Sequence, residues 1–168
     1  PVEALIREGG RLWALGAEGG SQRLLAIDLA SPLAPVAIPA ESLLVASVAE
    51  SRLFAHDGDL YRLGTARVER YDLPLAAPPV LTASGSPAGV TLVDLESAAG
   101  LLFVAARGQG ERELVEAAGV FTLGATPSPA HPAAGLFAIP EAGGERLWRA
   151  AGLAGAAENA SKKRALAS

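Results

Sequence analysis

The sequence predicts an all-β chain built as a series of repeated hairpin units, and three observations lead there. An apolar pair carrying an aromatic, a glycine-bearing gap and a second apolar strand recur four times. The 19 glycines and 12 prolines are spread along the chain and punctuate short apolar runs instead of gathering at one boundary. Runs of that length between turn residues read as strands. No long stretch holds a capped i, i+3, i+4, i+7 stripe, so helix is expected chiefly at the Ala-rich C-terminal end.

The elements follow in order. Val2–Arg7, Arg11–Leu15, Arg23–Leu29 and Pro35–Ile38 form a first unit, with turns at Gly9-Gly10 and Gly19-Gly20. Leu43–Val48, Arg52–His56, Asp59–Leu63 and Arg67–Asp72 form a second. Between its middle strands, Asp57-Gly58 is the strongest local signal, because a type I′ hairpin needs φ > 0 at both central residues. The Pro-rich stretches Pro74–Pro87 and Ala125–Ala134 read as loops. The third unit is Val90–Leu95, Leu101–Ala105, Glu111–Glu116 and Gly119–Leu123, and the fourth shows only Leu136–Ile139 and Arg146–Arg149.

The repeated phrases are Leu12-Trp13-Ala14 with Leu24-Leu25-Ala26, Leu53-Phe54-Ala55 with Leu60-Tyr61-Arg62, Leu102-Phe103-Val104 with Leu114-Val115-Glu116, and Leu136-Phe137-Ala138 with Leu147-Trp148-Arg149. Their anchors Trp13, Phe54, Phe103 and Phe137 are 41, 49 and 34 positions apart, a period that points to a propeller-like array of about four antiparallel units. The four anchors are expected at equivalent buried positions. Residues 1–151 are then one repeat domain. Residues 152–168, which carry Lys162-Lys163-Arg164, are a tail.

The phrases Leu25-Ala26-Ile27-Asp28-Leu29 and Gly144-Glu145-Arg146-Leu147-Trp148-Arg149 resemble strands of bacterial β-propellers of the PQQ-like and YVTN-like kind. The resemblance covers roughly residues 2–150. It implies blades around an axis and, since such rings usually hold more than four, a place in a larger ring. No quinone- or metal-binding signature accompanies it, so it carries over no functional residue and no cofactor. With Pro1 where an initiator would stand, it also implies a periplasmic or secreted location.

Composition narrows the function classes. Charged residues are 19% of the chain against about 25% in ordinary globular domains, while half the residues are hydrophobic. Such a chain either has a large core or covers surface with a partner. A net charge of −4 lacks the basic footprint of a nucleic-acid binder. With no cysteine there is no disulfide framework, thiolate nucleophile or cysteine metal site. No apolar run is long enough to span a bilayer as a helix.

His56, Asp57 and Asp59 form the one compact group of potential ligands, and are the candidate ligand-binding residues. Two acids are too few for a calcium loop, which needs six or more oxygens. The hairpin turn accounts for Asp57 and Gly58 without a metal. His131 sits alone in a Pro-rich loop. Asp28 and Asp94 end strand patterns, where carboxylates cap turns by accepting backbone N–H bonds. Pro1, with Arg11 nearby, is reminiscent of tautomerases that use an amino-terminal proline as base, but the helix such an enzyme needs is replaced by Leu12-Trp13-Ala14-Leu15-Gly16. The serines lack a nucleophile elbow, and the glycine pairs lie in hairpins instead of phosphate loops. The expectation is a non-catalytic binding or scaffold module without cofactor, working by protein–protein assembly or self-association. A propeller enzyme or small-ligand binder with a loop-built site stands second, and a Pro1-dependent tautomerase a distant third.

Overall fold

A computed structural model describes residues 2–31, 33–98, 100–107, 110–124, 133–141 and 144–151. Among them the chain is all-β, a propeller-like series of antiparallel units, with fifteen strands and a single 3-10 turn at Pro39–Glu41. By contacts it forms two compact units. One comprises the described residues of Pro1–Ser86 with Ala118–Val120; the other comprises those of Pro87–Ala117 with Phe121–Ser168.

In the first unit, β1 (Val2–Glu8), β2 (Arg11–Glu18) and β3 (Ser21–Asp28) make an antiparallel meander. Its fourth position is split. β4 (Val36–Ala37) pairs with Ile27 and Asp28, and β5 (Leu43–Ala46) pairs with Ser21–Leu24. The 3-10 turn opens at Pro39, which has no N–H to give a ladder. Ser42 repairs the break. Its Oγ accepts from Ala26 N (3.2 Å) and donates to Ile38 O (2.9 Å).

The second sheet is the meander β6 (Arg52–His56), β7 (Asp59–Gly64), β8 (Arg67–Asp72) and β9 (Val80–Gly85). Two expectations are corrected here. The strand at Leu43 belongs to the first sheet, not the second. The Pro74–Pro87 segment is not all loop, because it contains β9.

One face of the first sheet, carrying Trp13, Leu15, Leu24, Ala26 and Val45, packs on Leu53, Leu60 and Tyr71 of the second. Burial of these side chains drives the association, at about 1.5–3 kcal/mol for each large apolar group. Strand β7 is buried on both faces from Leu60 to Gly64, so no polar face remains to mark it as half-solvated.

The second compact unit holds β10 (Leu92–Ala98), β11 (Leu101–Ala106), β12 (Gly110–Ala117) and all but the first residue of β13 (Val120–Leu123), in that hydrogen-bonded order. It also holds the hairpin β14 (Ala133–Glu141) and β15 (Gly144–Ala151).

The strand order shifts the repeat. The pairs Glu8–Arg11, His56–Asp59, Ala98–Leu101 and Glu141–Gly144 each close a hairpin between a unit's first and second strands. Trp13 and Phe103 lie on second strands, whereas Phe54 and Phe137 lie on first strands. The four anchors are therefore not equivalent. The matching second-strand phrases are Leu12-Trp13-Ala14-Leu15-Gly16, Leu60-Tyr61-Arg62-Leu63-Gly64, Leu102-Phe103-Val104-Ala105-Ala106 and Leu147-Trp148-Arg149-Ala150-Ala151. Their aromatics recur after 48, 42 and 45 residues, a more even period than 41, 49 and 34. Burial agrees within the first compact unit, where Trp13 and Tyr61 are buried and Phe54 is half-buried; in the second unit Phe103 is half-buried as well.

Candidate functional site

In each meander of the first unit, the first hairpin turn and the connection from third to fourth strand emerge at the same end. Four pieces of chain gather there: the Gly9-Gly10 turn, the Asp57-Gly58 turn, the loop at 29–35 and the loop at 73–79. A pocket of about 130 Å³ opens at this end, lined by Glu8, Arg11, Trp13, Glu41, Leu73 and Leu75 among others.

Arg11 and Glu41 form its polar wall through a forked pair. Nε donates to Oε2 at 2.8 Å and Nη2 to Oε1 at 3.2 Å. The hydrogen bond to Arg11 holds the Glu41 carboxyl below the usual carboxylate range, and the same bond pushes the Arg11 guanidinium up. Asp28 Oδ1 lies 3.8 Å from Arg11 Nη1 and accepts from Ala30 N at 2.9 Å, the turn-capping role expected of it. Asp94 does not take that role: it lies inside β10, beside a shift in the pairing with β11, and accepts from Leu95 N at 3.1 Å. Trp13 Nε1 donates to Glu8 O at 3.3 Å, which satisfies the indole where its ring is buried.

His56, Asp57 and Asp59 are brought together, but as a hairpin. Asp57 (φ 51°) and Gly58 (φ 85°) both occupy the left-handed region, as a type I′ turn requires. His56 Nε2 lies 3.3 Å from Asp57 Oδ2, and Asp59 lies 3.5 Å from Arg70 Nε. Among the described residues no three histidine or acidic side chains converge as a metal site would need. Pro1, His131 and the tail from 152 lie outside the described residues. Arg11, the expected companion of Pro1, is engaged by Glu41.

Sequence reasoning missed a buried polar network in the same unit. Arg62 is 1% exposed and Glu69 3%; they face each other across β7 and β8. Arg62 Nε donates to Glu69 Oε2 (2.7 Å), as do Tyr71 OH (2.6 Å) and, to Oε1, Arg67 Nε (2.6 Å). Arg62 Nη1 crosses to the first sheet and donates to Gln22 Oε1 (2.9 Å) and Ala46 O (2.8 Å). Arg62 Nη2 lies against Glu69 Oε2 as an ion pair but outside hydrogen-bond geometry. Gln22 also binds the Val48 backbone and the Glu3 carboxylate, and Ser51 Oγ donates to its Oε1. Burial first, then the bond to Glu69, pushes the Tyr71 hydroxyl pKa up. The network joins the two sheets. Its signal was present in sequence, because Arg62 and Glu69 stand symmetrically about the Thr65-Ala66 turn.

The far face of the first sheet is largely apolar, with Arg7 and the Arg23–Glu18 pair also on it. Leu5, Leu12, Ala14, Leu25 and Ile27 share it by register, with Leu44 beside Arg23. Leu5 is 58% and Leu44 53% exposed. No protein-family description matches the chain, and no curated protein matches it.

Proposed function

We propose that the chain is a non-catalytic binding or scaffold module that works by protein–protein assembly, with the far face of its first sheet as the contact surface. The carrying observation is that face: a register of Leu5, Leu12, Leu25, Ile27 and Leu44 on which two leucines remain more than half exposed. Leu12, Leu25 and Ile27 between them are half-buried, and apolar side chains left open on one sheet face are a mark of interaction surfaces. Edge strand β1 adds unpaired backbone groups beside it, and such edges recruit further strands. An extracytoplasmic setting, and membership of a larger ring, belong to the same reading. Among the described residues no helix is long and apolar enough to cross a membrane.

Sedimentation velocity at micromolar concentration tests it. Wild-type protein is expected to associate, and the Leu5→Glu, Leu44→Lys double variant to sediment as a monomer with an unchanged circular dichroism spectrum. A wild-type monomer that binds no hydrophobic dye would sink the proposal. The loop-built small-ligand reading draws support from one observation, the pocket beside the Arg11–Glu41 pair.

A further inference from the structure

The loops at 29–35 and 73–79 are two copies of one device. Each begins after an Asp, starts with Leu, ends with Pro and is followed by Val: Asp28-Leu29 through Pro35-Val36, and Asp72-Leu73 through Pro79-Val80. Each is closed by the same cross-strand pair, Asp28–Val36 in the first sheet and Asp72–Val80 in the second. Neither loop contains a charged residue. Each holds one leucine out in solvent: Leu33 is 99% exposed and Leu75 93%. Val36 and Val80, where the fourth strands begin, are also more than half exposed.

One solvent-facing leucine is unremarkable. Two, on equivalent loops of adjacent sheets, give the same end of one compact unit two outward apolar groups.

The charges around it select the partner. At this end stand Glu8, Asp28, Glu41, Asp57, Asp59 and Asp72, against the arginines Arg11 and Arg70. Both arginines are held in ion pairs and are only about a quarter exposed, at 26% and 25%. The carboxylates of Asp57 (81%), Asp72 (54%) and Asp28 (41%) reach water. Arg7 alternates to the opposite face of β1 from Glu8, which lines the pocket. The leucines are thus ringed by outward negative charge.

We propose that this end of the first unit docks a basic, apolar polypeptide surface, with Leu33 and Leu75 entering its apolar part and the Asp28, Asp57 and Asp72 carboxylates pairing with its lysines or arginines. The same ring would be repelled by the negative surface of an anionic membrane. This surface is separate from the far face of the first sheet, so either proposal can fail without the other.

Fluorescence anisotropy with a labelled synthetic helix of leucine and lysine, arranged with one apolar and one basic face, provides the test. A leucine–glutamate counterpart and phosphatidylcholine–phosphatidylglycerol vesicles serve as controls. Wild-type protein is expected to bind the lysine peptide and not the glutamate peptide, more weakly as salt is raised. The Leu33→Ser, Leu75→Ser variant should lose at least about tenfold in affinity, since two leucines lose their burial. Its melting temperature should not move, because neither side chain is packed. The Asp28→Asn, Asp57→Asn, Asp72→Asn variant keeps the turn-forming acceptors and should bind more weakly with a flatter salt dependence. Any of three results would overturn the proposal: no binding of the lysine peptide by wild type, equal binding by the double leucine variant, or vesicle binding that the double leucine variant loses.

Discussion

At the scale of single residues, backbone sign and charge pairing decide the most. Gly58 sits at φ 85° with open space around it, so what excludes other residues there is conformation, not crowding. Gly58→Val is expected to cost about 1–3 kcal/mol by chemical denaturation, the strain of a β-branched residue in the left-handed region. Added calcium should leave the wild-type melting temperature unchanged; a rise abolished by Asp57→Ala would convert the turn into a metal site. Glu41 provides a pH test. Its carboxyl is depressed by Arg11, so the folded state releases this proton more readily than the unfolded chain. The pair's contribution is therefore present above about pH 4.3, the unfolded glutamate range, and lost as pH falls through the lower folded value. Acid titration of stability should show a shallower fall below that pH in Glu41→Gln than in wild type. Parallel curves would show that the pair contributes nothing.

At the scale of elements, the second strands of the first compact unit bury the aromatic of the repeated phrase. Trp13 on β2 and Tyr61 on β7 are both buried, and Phe54 stands opposite Tyr61 on the less enclosed β6. Trp13→Ala and Tyr61→Ala are each expected to cost about 3–5 kcal/mol, with Phe54→Ala clearly milder. Equal losses at Tyr61 and Phe54 would restore the first-strand phasing that the sequence phrases suggest. That phasing went astray for a physical reason. Both strands of a hairpin carry Leu-aromatic phrases, as in Leu53-Phe54 and Leu60-Tyr61, and period-2 patterns look alike on either strand. Only pairing distinguishes the first strand from the second. Gly64 shows how tight the enclosure is: a Cβ there would meet Val48 Cγ1 at 2.1 Å.

At the scale of the molecule, cohesion within the first compact unit rests on an apolar interface pierced by one polar network. Arg62 ties Glu69 and Tyr71 on the second sheet to Gln22 and Ala46 on the first. Removing one partner strands a buried charge, so Arg62→Met should cost about 3–5 kcal/mol. Replacing both, Arg62→Met with Glu69→Leu, should recover much of that loss, as measured by a double-mutant cycle in denaturant. Simple additivity of the two losses would mean that the pair is not coupled. An alkaline effect follows from Tyr71, whose pKa is raised by burial and by Glu69. Stability should be intact below the unfolded tyrosine value of about 10 and fall as pH rises beyond it. Tyr71→Phe should remove that alkaline fall.

The sequence by itself determined the all-β class, the hairpin turns and the turn-capping Asp28, because these depend on neighbours in the chain, whereas Asp94 proved to lie within a strand. Asp57-Gly58 needs only its own φ preferences, and Asp28 caps a backbone N–H two residues away. Tertiary structure alone decided what depends on distant partners. Leu43–Ala46 could pair on either side, and β3 claimed it. The segment at 80–85 had prolines before it and read as loop, yet the open edge of β8 gave it a ladder. Arg62 stands in sequence only as a charged residue of the Asp59–Leu63 strand; enclosure of β7 on both faces made its charge a link between two sheets. Nothing in the sequence singles out Leu33 and Leu75, because a sequence does not disclose which leucines a fold leaves in water.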